Sequence, residues 1–169
     1  MMLLVNERDC YMVFKVFYLE NLSDCHMLAA RLAPFLQTGD IIAFIGNLGT
    51  GKTEFCRSII HALGYNEDVP SPTFNLVQVY EPEMNDQEKP AVWHMDLYRL
   101  EDENDVFELG IEDAFDSGIT LIEWPEKMGK FLPPEHLKIH LELGDNENAR
   151  LATFSGSEYW HKKLRELEV

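Results

Sequence analysis

The chain has 169 residues, 46% of them hydrophobic, and a formal net charge of −16. That length suits one folded domain spanning 1–169 with a sizeable core, and no apolar run approaches a membrane span. The charge excludes a chain that grips a nucleic-acid backbone by itself, because its only basic cluster, Lys162, Lys163 and Arg165, is diluted by Glu158 and Glu166. A basic protein partner would suit such a surface, although an acidic face is commonly just a solvated one.

From the N-terminus, Met1 to Val5 is too short for a signal-peptide core and is followed by Glu7 and Asp9. Residues 1–11 are expected to form a flexible, untethered extension. Cys10, Cys25 and Cys56 show neither metal spacing nor an even count, which points to reduced thiols and a cytoplasmic protein. Met12 to Leu19 is rich in β-formers and predicts a strand. Ser23 is the expected N-cap of a helix running to about Leu36, with Met27, Leu28 and Leu32 on its apolar face and an irregular last turn at Pro34.

Ile41 to Ile45 is a short apolar run of the kind found in buried parallel strands. It leads into Gly46-Asn47-Leu48-Gly49-Thr50-Gly51-Lys52-Thr53, a match to G-x-x-x-x-G-K-[ST], the phosphate-binding loop. A chance match in a chain this long is roughly a one-in-two-hundred event at ordinary Gly, Lys, Ser and Thr usage. Glu54 to Leu63 then reads as a helix stopped by Gly64, with Phe55, Ile59, Ile60 and Leu63 on one face. Strand, glycine-rich loop and helix are the context the motif requires, because backbone N–H groups and the helix dipole together favour an anion. Lys52 would place an ammonium on the phosphates, and the Thr53 hydroxyl would be a Mg²⁺ ligand.

Further on, Val69-Pro70-Ser71-Pro72-Thr73 is a stiff loop placed where phosphate-loop proteins carry a segment that senses the terminal phosphate. Phe74 to Tyr80 and Ala91 to Met95 read as a hairpin across the polar link 81–89. His94, Asp96 and Tyr98 would share one face, since side chains alternate along a strand; His94 reads as structural. Asp102 to Phe115 reads as short helices broken at Gly110. Ile119 to Glu123 is an apolar strand ending in an acid, expected to lie centrally beside Ile41 to Ile45 and to be ended by Pro125. Asp96 and Glu123 therefore compete for two roles, metal ligand and water positioning, and spacing does not assign them. Trp124 is a stacking platform or core. Lys127 to His136 reads as a loop, Leu137 to Leu143 and Ala149 to Phe154 as a hairpin about Gly144-Asp145-Asn146, and Ser157 as the start of a helix to Leu167.

Four motifs appear in order: Gly-x-Leu-Gly-x-Gly-Lys-Thr (46–53), Ser-Pro-Thr (71–73), His-x-Asp-Leu-Tyr-Arg (94–99) and Glu-Trp-Pro-Glu (123–126). Together they resemble the TsaE (YjeE) family of small bacterial ATPases needed to make threonylcarbamoyladenosine in tRNA. The resemblance covers roughly Phe17 to Leu143. It implies an α/β fold, a P-loop three-layer sandwich with a central mixed β-sheet flanked by helices. It implies an ATP- and Mg²⁺-dependent hydrolase acting with TsaD and TsaB, with tRNA contacted only through those partners and no membrane involved. Carried over, residues Asn47, Leu48, Gly49, Thr50, Gly51, Lys52, Thr53 and Glu54 bind nucleotide with Trp124 nearby, Thr53 and Glu123 hold Mg²⁺, and Asp96 works with Lys52 in catalysis as the water-orienting or base residue. Ser71, Pro72 and Thr73 are then the switch. Asn47, Thr50 and Glu54 depart from the family's usual acid, Ala and Thr.

Two other readings remain beside this one: a nucleotide-gated binding module whose hydrolysis is incidental, and a small-molecule kinase. A GTPase is disfavoured because the chain has no N-K-x-D or T-K-x-D motif.

Overall fold

The computed structural model describes residues 11–86 and 88–168. Among the described residues, seven strands form one mixed sheet: β1 (Met12–Leu19), β2 (Ile41–Ile45), β3 (Val77–Tyr80), β4 (Ala91–Asp96), β5 (Gly118–Glu123), β6 (Leu137–Leu143) and β7 (Arg150–Gly156), in the order β1-β7-β6-β2-β5-β4-β3. The centre is parallel: β2 pairs with β5 and β6, and β4 pairs with β5. The outer pairings are antiparallel. Ile119 to Glu123 thus lies beside Ile41 to Ile45 as expected, in a strand buried along its whole length.

Helices cover both faces. On one, α1 (Leu22–Leu32) and α2 (Lys52–Ala62) bury Leu28, Leu32, Phe55 and Ile59 against Ile42, Phe44, Leu121 and Ile139. On the other, α3 (Ile111–Ser117) and two 3₁₀ segments pack Ile111, Ala114, Val106 and Met128 on Ile41, Met95 and Ile122. Alternate residues of the central strands feed the two layers, so every buried methylene contributes at about 0.8 kcal/mol on both sides of the sheet. The architecture is the three-layer α/β sandwich expected. The last helix, α4 (Glu158–Lys163), docks Trp160 on the α1–α2 side.

Several boundaries differ from the sequence reading. Helix α1 is capped by Asn21, whose side chain accepts from the Asp24 N–H, and not by Ser23. It passes into a 3₁₀ turn at Ala33–Phe35, because Pro34 cannot continue the bonding ladder. Met27 is exposed rather than on the packed face. Strand β3 starts at Val77, not Phe74: Leu76 donates to the Pro72 carbonyl and has φ 64°, so 72–76 is a tight turn that leaves Phe74 in solvent. The stretch after Pro125 is a 3₁₀ segment (Pro125–Phe131) instead of an open loop, and α4 ends at Lys163 instead of Leu167. The expected extension 1–11 lies outside the described residues except for Tyr11, whose hydroxyl reaches the Pro134 and His136 carbonyls and the His136 ring.

Candidate functional site

The loop 46–53 leaves the C-terminal end of β2 and enters α2 at its first turn. Two glycines are required by its shape. Gly46 has φ 150°, and a Cβ there would sit 2.4 Å from the Leu141 carbonyl oxygen and 2.7 Å from the Thr50 hydroxyl. Gly51 has φ 99° and occupies the N-cap position of α2 without any side-chain cap, so the first amides of the helix stay available to a ligand. Leu48 forms the exposed tip between Asn47 and Gly49. Thr50 closes the turn, its hydroxyl donating to the Asn47 carbonyl at 2.9 Å.

Lys52 is folded across this loop. Its ammonium donates to the carbonyls of Gly46 (2.7 Å) and Asn47 (3.0 Å) and lies 4.1 Å from the centre of the Trp124 ring. Burial pushes its pKa below the ordinary lysine value, while Glu123, Asp96 and Glu126 pull the other way. Trp124 reaches it because its backbone is left-handed, φ 59°, an uncommon conformation for an aromatic residue that costs on the order of 1 kcal/mol. The same turn sets its ring beside that of Tyr98, the centroids 4.9 Å apart and the planes tilted by 50°.

The two acids come to this place through strand register. Asp96 and Glu123 are Cα partners at the ends of β4 and β5, and both side chains face α2. Glu123 accepts the Thr53 hydroxyl on one oxygen at 2.9 Å and His94 on the other at 2.8 Å. Asp96 accepts the Thr73 hydroxyl on one oxygen at 2.5 Å and the Tyr98 N–H on the other at 3.1 Å. Ser71 in turn bonds Thr73 at 2.7 Å. Pro72 takes no part by side chain; its carbonyl pins the turn through Leu76. A groove of about 390 Å³ is lined by Lys52, Thr53, Thr73, Asp96, Glu123 and Trp124. The structure therefore brings together residues that the chain separates by up to 72 positions, 52 to 124.

Glu54 is held by Arg57 and by His26 of α1, the latter at 3.0 Å, at the edge of the groove. Its charge is thus compensated at the surface. Two further features escaped the sequence reading. Arg150, the first residue of β7, donates to the Thr50 carbonyl at 2.9 Å and to the Gly49 carbonyl at 3.4 Å. A second groove, about 220 Å³, lies on the other side of the loop between Leu19, Leu22, Cys25, Leu141 and Arg150, and it shares Gly51 and Glu54 with the first. No local pattern flags either, because their parts come from β1, α1, the start of α2, β6 and β7, which are distant in sequence.

Against known proteins, the family model "Threonylcarbamoyl adenosine biosynthesis protein TsaE" matches residues 19–152. The chain is 41% identical over 136 residues to the tRNA threonylcarbamoyladenosine biosynthesis protein TsaE of Rickettsia felis, covering 80% of this chain and 76% of that one. It is 36% identical over 141 residues to the protein of the same name from Bacillus subtilis, covering 82% and 85%. The crystal structure of Bacillus subtilis YdiB superposes with a TM-score of 0.75 at 26% identity, over 92% of this chain and 95% of that one. With a family match running from the end of β1 into β7, through every part of the site, this chain belongs to the TsaE family.

Proposed function

We propose that the chain is a Mg²⁺-dependent ATP hydrolase acting in the cytosol in threonylcarbamoyladenosine biosynthesis on tRNA, together with TsaD- and TsaB-type proteins that contact the tRNA. One observation carries this reading. An ammonium, a hydroxyl and two carboxylates converge in a single groove at the open N-terminus of a helix. The acidic surface agrees with a chain that leaves the nucleic acid to its partners. Free, buried Cys25 and Cys56 agree with a reducing compartment.

In this reading the amides of 47–54 cradle the phosphates. Lys52 exchanges its two carbonyl partners for phosphate oxygens. Thr53 and Glu123 are adjacent hard oxygen donors, a set that fits Mg²⁺; when bound, the ion screens charge on the phosphates. Asp96 orients the attacking water, and the 71–73 segment couples that acid to the state of the terminal phosphate. The second groove takes the nucleoside: its leucines suit a flat base, and it meets the phosphate groove at Gly51 and Glu54.

The test is ATP turnover, with the partner proteins present, for Lys52→Ala, Asp96→Asn and Glu123→Ala. Large losses are expected in each, and full activity in all three would end the idea. A second reading has its own support. Both Asp96 oxygens are already engaged, by Thr73 and by Tyr98, as in a gate rather than a poised base. If Asp96→Asn binds partners and sustains repeated rounds of modification, nucleotide occupancy alone is the working signal.

A further inference from the structure

We infer that His94 is a positioning residue: its Nε2–H fixes one oxygen of the Glu123 carboxylate so that the other is presented to the loop. The inference rests on the reading of Glu123 as a magnesium ligand and goes beyond it, to what aims that ligand.

The placement follows from the sheet. In the parallel β4–β5 pair, His94 stands opposite Leu121, and Asp96 stands opposite Glu123. Side chains alternate, so His94 lies one pleat deeper than Asp96 on the same face, directly inward of the Glu123 carboxylate. Both groups are withdrawn from water, His94 at 0% exposure and Glu123 at 2%. Their contact is short, Nε2 to Oε1 at 2.8 Å, while Oε2 is the oxygen that meets the Thr53 hydroxyl at 2.9 Å.

The two carboxylate oxygens thus have different neighbours and different work. Glu123 accepts from the Thr53 hydroxyl on Oε2, and the tautomer assigned to His94 places the ring N–H on Nε2, where it meets Oε1. The other ring nitrogen, Nδ1, is buried without a hydrogen-bond partner among the described residues, which suits an unprotonated lone pair. The Cys56 sulfur, one turn along α2 from Thr53, lies within 4.8 Å of the donor atoms of both His94 and Glu123 and closes the third side of the cluster. A glutamate has three side-chain torsions. Here the far oxygen is tethered to the sheet interior, and the near one is left on the side of the loop as a single ligand atom. Partners of this outer kind typically change metal affinity by about 10- to 100-fold when removed.

The experiment uses the full chain with a non-hydrolysable ATP analogue and Mn²⁺ as the probe, free Mn²⁺ being counted by electron paramagnetic resonance. Wild type is compared with His94→Leu, His94→Asn and His94→Gln, and thermal melting identifies folded variants. Asn keeps a polar group but is too short to reach Oε1; the Gln amide occupies the position of Nε2. Leu and Asn should weaken Mn²⁺ binding about 10-fold or more, and Gln should recover most of it. Analogue affinity in chelator should be equal in all four. Wild-type Mn²⁺ affinity in the Asn variant, or an equal loss in Asn and Gln, overturns the inference, and if Leu does not fold those two decide it. An equal loss of analogue binding in chelator also overturns it, since that marks a general packing role. If wild type itself holds no Mn²⁺ with the analogue, the magnesium reading has failed instead.

Discussion

Thr73 donates its hydroxyl to Asp96 at 2.5 Å, so the last residue of the Ser-Pro-Thr segment is joined to the acid at the end of β4. On the proposed function, that bond holds the water-orienting oxygen back until the segment moves. Thr73→Val should free it. Basal ATP turnover without partners is expected to rise about 5-fold, the worth of one ordinary hydrogen bond, with nucleotide affinity changed little. Steady-state phosphate release checks this, and a fall would mean that Thr73 holds Asp96 in its working geometry.

Asp96→Asn keeps the shape of the side chain and the Tyr98 contact while removing the charge. Turnover should drop by at least about 100-fold, the usual share of a positioned general base. Calorimetry with ATP and Mg²⁺ should show affinity preserved or improved, because one negative charge near the phosphates is gone.

Arg150 bonds the carbonyls of Thr50 and Gly49 from another strand. A peptide whose carbonyl is held on one side turns its N–H to the other, so the guanidinium on the Thr50 carbonyl orients the amide of Gly51, while the Thr50 amide bonds the Asn47 carbonyl at 3.3 Å. Arg150→Met keeps the aliphatic stem and removes the donors. Nucleotide affinity is expected to fall about 10-fold, from charge-assisted bonds worth about 1.5–3 kcal/mol in place. The melting temperature should move by no more than a few degrees, since β6–β7 pairing does not depend on this head group.

Gly46 tolerates no side chain. An alanine there would drive its Cβ to 2.4 Å from the Leu141 carbonyl, a backbone group that cannot turn aside. Gly46→Ala should lose about 2 kcal/mol or more, which for a domain of this size is a fall of about 4–8 °C in melting temperature. Scanning calorimetry would measure it, and nucleotide binding should fail as well.

Stability should decline at alkaline pH. Burial, helped by Glu54, pushes the Cys25 thiol from 9.0 up to about 12. Burial likewise raises the Tyr65 and Tyr80 phenols from 10.0 to about 12. In the unfolded chain these groups lose protons first, so between about pH 9 and about pH 12 the folded state binds more protons, and its stability falls as pH rises. Their contribution is complete below about pH 9. Urea unfolding at about pH 7.5 and about pH 10 should show the drop, and Cys25→Ala should flatten part of it.

The phosphate loop was legible because its chemistry is written in eight consecutive residues. The parallel core was legible because strands buried on both faces read as apolar runs. Asp96 and Glu123 stood out as acids ending such runs, and their convergence follows from register. What stayed hidden was contributed across the fold. His94 read as structural because its partner lies 29 residues away, and Arg150 drew no reading because its targets are carbonyls, which carry no sequence signal. The Phe74 start of β3 failed for a local reason. A β-forming composition was overruled by the turn that Pro72 and Leu76 close, and that turn brings Thr73 to Asp96.

The pairing of Asp96 with Glu123 as ladder neighbours carries one more implication. Adjacent strands sit about 4.8 Å apart whatever side chains they bear. The gap between the two carboxylate-bearing backbones is therefore a constant of the sheet, inherited from the main chain and out of reach of any substitution in the surrounding loops. Evolution can retune the loop, the switch or the grooves one residue at a time. To move these acids relative to each other, it would have to break and re-form the interior of the sheet.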